Sequence, residues 1–333
     1  MKLRKMACYD DFRCVAAACP DSCCKEWDVA VDADSAAIYQ SLPGDLGRDI
    51  RQTMYREEGR WYFAITEGRC PMWRRDGLCR IQAELGHETL CQTCRDFPRL
   101  THDYGDFVEL GLELSCPEVA RMLFAGADTA FTETEVPGGE PPEYDAQDMA
   151  LLLQTRQEML SILEDPARPL PQALALALLY AYRAQGALDG GQLQPADPEA
   201  ELSFGRQMAQ PGDGQAVVEF YRQLEILTPA WGQRLENPQF PQEWDEKLRI
   251  LASYGIQRYW LQAISDFDLI GRAKMVIFSC VLVHLLGGDT EQTAQLYAKE
   301  IENNWENVEA LLEGAYAAPA LTDANLLGLL LLC

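Results

Sequence analysis

A chain of 333 residues in which 48% are hydrophobic is long enough to bury more than one core, so we expect two domains. Its formal charge of −24 argues against nucleic acid as a partner, because neutralising phosphates requires a basic surface. Acidic residues follow the basic residues 1–6 where a signal peptide has an apolar run, so we expect a cytoplasmic protein that does not bind membranes.

The cysteines are unequally distributed, and this distribution predicts a metal-binding first module. Ten of the twelve cysteines lie in the first 116 residues. In a reducing compartment, clustered thiols bind metal more often than they form disulfides, although disulfides and buried structural cysteines are the alternatives. We therefore predict a cysteine-rich metal module over residues 1–125.

Within this module the sequence predicts short strands and short helices. Residues Trp27–Asp32 and Trp61–Thr66 have the aromatic and β-branched composition of strands. Ser115-Cys116-Pro117-Glu118 fits a capping box in which Ser115 is the N-cap of a helix. Cys116 would then lie at a helix N-terminus, where the macrodipole favours the thiolate that binds metal.

A linker and a helical domain are predicted after this module. Residues 126–145 contain Pro, Gly and acidic side chains that suit neither a helix interior nor a central strand, so we interpret them as a linker. Residues 146–333 show helical periodicity. The predicted helices are 150–163, 171–185, 215–227, 244–267, 272–286, 290–312 and 325–332. The fold class is thus mainly α, with a small irregular α+β cysteine-rich module followed by an all-helical domain.

Two features of the helical domain have ordinary structural interpretations. The longest apolar run, Met275–Leu286, is too short for a membrane span and predicts a buried helix whose His284 belongs to the core. Glu302, Glu306 and Glu309 are interpreted as a solvated helix face rather than a catalytic set.

The spacing of the cysteines favours ligation by thiolates. The first group can turn around one ion or cluster within a single loop, and it consists of Cys14, Cys19, Cys23 and Cys24. The second group consists of Cys70, Cys79, Cys91, Cys94 and Cys116. Because the chain has only three histidines, the alternatives are four-thiolate zinc and an iron–sulfur cluster, which ligand geometry alone does not separate. Cys280 and Cys333 lie outside both groups and are predicted to be bystanders.

Two other interpretations of these cysteines have less support. Cys91-x-x-Cys94 could be a thioredoxin-like redox pair, but no βαβ pattern surrounds it. Cys19-x3-Cys23 supplies the first interval of a radical S-adenosylmethionine motif, but Glu26 stands where the third cysteine is required. Metal ligands or spare thiols are therefore favoured.

A long ordered series of motifs runs from residue 12 to residue 120. The motifs are Phe12-Arg-Cys14, Cys19-Pro-Asp-Ser-Cys23-Cys24-Lys-Glu-Trp27, Val31-Asp32, Cys70-Pro71, Gly77-Leu-Cys79-Arg-Ile-Gln82, Leu85-Gly86, Leu90, Cys94-Arg-Asp-Phe-Pro-Arg99 and Leu114-Ser-Cys116-Pro-Glu118. In these motifs the chain resembles the flagellin lysine-N-methylase family, which shares a C-x3-C-C core with a wider class of zinc- or iron-chelating cysteine domains. Beyond the linker, only the aromatic segment 251–260 is similar, and loosely.

The resemblance implies a [4Fe–4S] cluster, with zinc as the alternative, and methyl transfer from S-adenosylmethionine to lysine side chains of flagellin or a similar protein. The cysteines implied as metal ligands are Cys14, Cys19, Cys23, Cys24, Cys70, Cys79, Cys94 and Cys116. Eight ligands could form one site or two. For a single site we expect ligands from the Cys14–Cys24 loop completed by Cys94 or Cys116, because closing a long loop gains the most stability. Cys8 and Cys91 are extra to the family pattern.

No G-x-G-x-x-G run follows a strand, so a site for S-adenosylmethionine would have to be built near the cluster. Trp27 could stack on the adenine, with packing against the cysteine loop as the alternative. Arg95 or Arg99 could hold the carboxylate, with structural ion pairing as the alternative. The competing function is a non-enzymatic metal-chelating or redox-sensing scaffold that docks a partner protein. A deep pocket beside the metal would favour the enzyme.

Overall fold

The computed structural model describes residues 1–25 and 29–332 and confirms a mainly α fold with a small α+β part. The strands of the described residues are Lys2–Met6 (β1), Val29–Val31 (β2), Met54–Glu57 (β3), Arg60–Phe63 (β4), Arg99–Asp103 (β5), Phe107–Leu112 (β6) and Phe131–Glu135 (β7). The α-helices of the same residues are Ala33–Ser41 (α1), Gly44–Thr53 (α2), Arg80–Leu85 (α3), Gln92–Asp96 (α4), Pro117–Phe124 (α5), Ala146–Glu164 (α6), Leu170–Leu188 (α7), Pro198–Met208 (α8), Gly214–Arg222 (α9), Pro229–Glu236 (α10), Leu248–Tyr259 (α11), Leu269–Leu286 (α12), Thr290–Tyr297 (α13), Trp305–Ala317 (α14) and Asp323–Leu331 (α15).

Two small sheets form the β part of the structure. One has the order β2-β4-β3, and both of its strand pairs are antiparallel. The other has the order β5-β6-β1-β7, in which β1 is parallel to β6 and antiparallel to β7. Strand β2 lies within the first segment predicted as a strand, and β4 overlaps the second. Trp27 and Asp28 of the first segment lie outside the described residues.

The segment interpreted as a linker contains strand β7. This strand lies at the edge of the four-stranded sheet, where it pairs with β1 from Glu135 opposite Lys2 to Phe131 opposite Met6. An edge position is compatible with the Pro and Gly residues that follow, because only one side of an edge strand pairs with the sheet. The pairing does not test whether the flanking modules fold independently, so the domain boundary stays a prediction.

The helix predicted from the capping-box motif begins one residue later than that motif indicates. Helix α5 begins at Pro117, and its N-cap is Cys116 rather than Ser115. Proline lacks an N–H group and has a fixed φ that suits the first helical position, so Pro117 sets the start of the helix. The carboxylate of Glu118 accepts two hydrogen bonds from Arg121, at 2.7 and 2.8 Å. Cys116 nevertheless lies at the helix N-terminus, as predicted.

Each of the seven segments predicted as helical in the second part contains an α-helix. Helix α12 contains the apolar run Met275–Leu286. Every residue of this run is buried, which confirms the predicted buried helix. Its length and composition would allow it to cross a membrane, but 89% of it is buried inside the protein, which is typical of a core helix. His284 lies in this core, with its ring stacked on Trp244 at a centroid distance of 4.0 Å.

The helix predicted over residues 290–312 is interrupted by a π-helical turn, Ala298–Glu302. A π turn contains more residues than an α turn and therefore changes the face on which later side chains lie. The interpretation of Glu302 as solvated was wrong, since its side chain is only 5% exposed and its carboxylate accepts hydrogen bonds from two side chains of α11. Glu306 and Glu309 are exposed, as predicted.

The buried side chains form two clusters. The smaller cluster surrounds Cys70 and Cys91 with residues of β2, β4 and helices α1–α3. The larger cluster joins β1, β6 and α5 to the helical part. At this junction, Glu109 on β6 accepts two hydrogen bonds from Arg156 on α6, at 2.6 and 2.8 Å, and lies 2.9 Å from the guanidinium of Arg4 on β1. This buried ion pair links the four-stranded sheet to helix α6.

Candidate metal centre

Seven of the eight cysteines predicted as ligands line one cavity of about 500 Å³. They are Cys14, Cys19, Cys23, Cys24, Cys79, Cys94 and Cys116. The eighth, Cys70, is buried beside this wall, and its backbone N–H donates to the carbonyl oxygen of Cys24 at 2.8 Å. The fold therefore brings both cysteine groups of the sequence to one place, and no disulfide joins the described cysteines.

The first cysteine loop is a tight, irregular turn. Ala16 has a φ of 49°, which is uncommon for a residue with a Cβ atom, and it begins a 3₁₀ turn, Ala16–Ala18. The Sγ atom of Cys14 accepts a hydrogen bond from the Ala16 N–H at 3.4 Å. The backbone N–H of Cys24 donates to Oγ of Ser22 at 3.1 Å. These local contacts curve the loop so that its four cysteines border the same cavity.

Cys79 reaches the cavity through a tight turn that packs on this loop. The backbone N–H of Arg74 donates to the carbonyl oxygen of Leu78 at 2.9 Å and closes the turn. Gly77 within the turn has a φ of 82°, a conformation that glycine adopts without strain. A Cβ atom at Gly77 would lie 3.4 Å from the Cα atom of Ala17. Glycine therefore permits the close approach of the turn to the first cysteine loop.

Three cysteines occupy the N-cap positions of helices. Cys79, Cys91 and Cys116 precede α3, α4 and α5, respectively. Backbone N–H groups in the first turns of α3 and α5 favour the thiolates of Cys79 and Cys116, although burial outweighs them and raises the pKa of both thiols. Such donors stabilise a thiolate, and hydrogen bonds to sulfur also help to set the reduction potential of a bound iron–sulfur cluster.

Helix α4, which carries Cys94, is fixed in place by Asp32. One carboxylate oxygen of Asp32 accepts from the backbone N–H of Ser35 at 2.9 Å, and the other accepts from that of Gln92 at 2.8 Å. Burial raises the pKa of Asp32, but the hydrogen bonds from Gln92 and Ser35 outweigh it and hold the pKa below its usual value. One charged carboxylate thus caps both α1 and α4.

Burial raises the pKa of thiols at the site, so the protonated form is favoured over the thiolate when no metal is bound. Desolvation raises the pKa of Cys70 to about 11 and that of Cys116 to about 12. The interaction between the Cys91 and Cys94 thiols lowers the pKa of Cys91 and raises that of Cys94. Metal binding at such thiols replaces protons by a cation, so metal affinity should increase with pH.

A cation from the distant helical part completes the cavity wall. Lys299 on the π turn lines the cavity, its side chain is 2% exposed, and its Nζ donates to Oδ2 of Asp21 at 2.7 Å. Burial raises the pKa of Asp21, but the hydrogen bond and charge of Lys299 outweigh it, so the pKa lies below its usual value. The sequence analysis did not predict this ion pair. The one signal for it in the sequence was the position of Asp21 between Cys19 and Cys23.

The residues predicted to bind S-adenosylmethionine differ in their surroundings. Arg95 and Arg99 both line the cavity, whereas Trp27 lies outside the described residues. The guanidinium of Arg99 lies over two aromatic rings, 5.3 and 5.6 Å from their centroids. Arg95 makes longer polar contacts, at 3.9 Å to a neighbouring carboxylate and 3.5 Å to a backbone carbonyl oxygen. Arg95 is therefore better placed to exchange its contacts for those of a ligand.

The donor chemistry of the cavity fits a group that is ligated by thiolates. Sulfur ligands of this kind suit zinc and iron–sulfur clusters. Within residues 1–25 and 29–332, no three His, Cys, Asp or Glu side chains have the close arrangement of a single-ion site. Cys280 is buried in α12 and does not border the cavity, while Cys333 lies outside the described residues. The choice of ligands among the eight cysteines stays a prediction.

The fold and the cavity define a mainly α protein whose cysteine-rich part encloses a thiol-lined cavity. No profile of a known protein family and no solved structure matches the chain. The flagellar biosynthetic protein FliU of Salmonella muenchen is 33% identical over 124 residues, which cover 35% of this chain and 73% of FliU. The lysine-N-methylases of Salmonella typhimurium and Salmonella choleraesuis are 33% identical over 124 residues, which cover 35% of this chain and 31% of each enzyme. The chain belongs to the family of FliU and these lysine-N-methylases, although it spans less than a third of the latter.

Proposed function

We propose that the protein transfers a methyl group from S-adenosylmethionine to lysine side chains of flagellin or a similar protein, and that its cysteine cavity binds an iron–sulfur cluster. Membership of the FliU and lysine-N-methylase family supports the reaction class. Because the match covers 31% of the lysine-N-methylases, their activity is carried over as part of this proposal. The observation that carries it is the cavity of about 500 Å³, lined by seven cysteines and two candidate arginines.

The size of the cavity supports a cluster rather than a single zinc ion. Zinc holds its sulfur ligands at about 2.3 Å, so a four-thiolate zinc site is compact. In a [4Fe–4S] cluster the four cysteine ligands bind different iron atoms, and they therefore surround a larger volume. When bound, such a cluster joins cysteine loops that have little regular structure of their own. Four-thiolate zinc is the alternative.

The proposed reaction is a displacement at the methyl carbon. The neutral lysine amine forms the new C–N bond, the bond between the methyl carbon and sulfur breaks, S-adenosylhomocysteine leaves, and the proton of the methylated amine passes to water. Arg95 would pair with the carboxylate of the methyl donor, and Arg99 would form part of the wall.

Methyl transfer can be tested directly with anaerobically purified protein, methyl-labelled S-adenosylmethionine and flagellin. We expect label on lysine side chains, located by peptide mass spectrometry. Arg95→Gln should raise the KM for S-adenosylmethionine about 10- to 100-fold, which corresponds to the loss of a hydrogen bond to a charged group. Arg48→Gln is the matched control, because Arg48 lies on α2 with its side chain 62% exposed.

Three outcomes separate the candidate functions. Transfer to lysine with a selective effect of Arg95→Gln supports both the reaction and the assigned site. Transfer with equal effects of the two substitutions would contradict the role of Arg95. No transfer by protein that retains its metal would contradict the methyltransferase and favour the non-enzymatic scaffold that docks a partner protein.

A further inference from the structure

Lys299 connects the helical part of the chain to the first cysteine loop. It belongs to the π turn Ala298–Glu302, and its Nζ donates to Oδ2 of Asp21 at 2.7 Å. Asp21 stands between Cys19 and Cys23, and all four residues border the cavity. This part-buried contact joins residues that are 278 positions apart.

Residues of the helical part hold the π turn in place. Glu300, the neighbour of Lys299, is fully buried, and its Oε2 accepts the backbone N–H of Leu227 at 2.8 Å. The side-chain amide of Asn307 donates to the carbonyl oxygen of Glu300 at 3.0 Å. These contacts anchor the turn in the helical core while Lys299 borders the cavity. Single π turns in α-helices frequently occur at functional sites.

The charge of Lys299 suits a cavity that becomes more negative when metal binds. Cysteines bind metal as thiolates, so each ligand adds negative charge to the cavity. Among the cations of the cavity wall, Lys299 is buried, whereas Arg13 is exposed and Arg95 and Arg99 are half-buried. A buried cation acts through a lower dielectric constant than an exposed one, so it offsets nearby negative charge more strongly.

We propose that Lys299 is a positioning residue of the cysteine cavity. Its ammonium group holds the carboxylate of Asp21, and with it the Cys19–Cys23 turn, in the arrangement that binds metal. Its charge also offsets that of the bound thiolates. The inference rests on the proposed metal-binding function and adds a new dependence, since metal retention in the cysteine-rich part then requires a residue of the helical part.

The test compares Lys299→Met with Lys299→Arg in the full-length, metal-loaded protein. Lys299→Met keeps an unbranched side chain that is one atom shorter and removes the charge. It should accelerate the loss of metal to a chelator by about 10- to 100-fold, the range for partners that orient metal ligands. Lys299→Arg should recover most of the retention. If the metal is iron, Lys299→Met should also shift the reduction potential to a more negative value, because a cation stabilises the reduced cluster.

Lys274→Met is the matched control. Lys274 is another buried lysine, 4% exposed, which pairs with Asp323 at 3.0 Å in the helical part and does not border the cavity. The proposal is overturned if Lys299→Met and Lys274→Met lose metal at the same rate. If Lys299→Met does not fold, Asp21→Asn breaks the same pair from the loop side, and unchanged metal retention in that folded variant would equally overturn the proposal.

A metal-independent measurement separates this inference from the proposed function. In metal-free protein, the alkylation rates of Cys19 and Cys23 report how firmly their turn is held. Lys299→Met should increase these rates, while Lys274→Met should not. If the wild-type protein binds no metal, the metal-binding function fails, and the alkylation rates alone decide whether Lys299 positions the turn. Unchanged rates would then overturn the inference as well.

Discussion

The ion pair between Glu109 and Arg156 should be a major determinant of stability. Their side chains are 6% and 5% exposed, and two hydrogen bonds at 2.6 and 2.8 Å join them. Glu109→Gln keeps the shape of the side chain but leaves the Arg156 guanidinium buried without its counter-charge, with Arg4 as a second cation nearby. Breaking a buried pair in this way costs about 3–5 kcal/mol, so the free energy of unfolding should decrease by that amount.

Glu118→Gln provides the control for this prediction. Glu118 and Arg121 also form two hydrogen bonds, at 2.7 and 2.8 Å, but the Arg121 side chain is 60% exposed. An exposed pair contributes roughly 0–1 kcal/mol. Urea unfolding of the two variants, followed by circular dichroism, gives the comparison. Equal destabilisation by Glu109→Gln and Glu118→Gln would refute the reasoning that burial determines the cost.

Two further predictions concern metal binding and pH. Elemental analysis should show that Cys19→Ser and Cys23→Ser each release metal, whereas Cys280→Ser retains it with a modest loss of stability. Full metal occupancy in both loop variants would contradict the ligand assignment. Burial beside Trp244 lowers the pKa of His284 to about 4, so its unfolded form binds a proton more readily and stability should decrease as the pH falls from about 6.5 towards 4. The His284→Phe variant should not show this pH-dependent loss of stability. Parallel profiles of unfolding free energy against pH for the variant and the wild type, measured with urea, would contradict the prediction.

Amphipathic periodicity predicts the longer helices because each of them buries one face in a shared core. The short helices α8 and α10 were missed, although both have a capping side chain, from Asp197 and Thr228, and a proline in the first turn. Their few turns leave little periodicity to detect. The π turn was also missed, because one additional residue in a turn leaves the composition of the segment unchanged. Glu302, which ends this turn, is buried against α11.

The cysteine pattern predicts which thiols gather because several are adjacent in sequence and the rest lie in a restricted segment. It does not predict the contribution of the helical part. Lys299 precedes Glu300 in a helix whose charged residues suggest a solvent-exposed face. Its pairing with Asp21 depends on tertiary packing over 278 positions, which no local pattern records. The position of Cys116 was predicted more closely because Pro117 marks a helix start locally.

The most direct test of the metal centre is the iron, acid-labile sulfide and zinc content of wild-type protein purified without oxygen. A [4Fe–4S] cluster in the cysteine cavity predicts about four iron and four sulfide per chain, with an absorption band that bleaches on reduction. Anaerobic purification is essential, because oxygen can destroy a cluster and allow zinc to replace it. Zinc without iron or sulfide in this preparation would contradict the cluster, and the absence of any bound metal would contradict the metal centre itself.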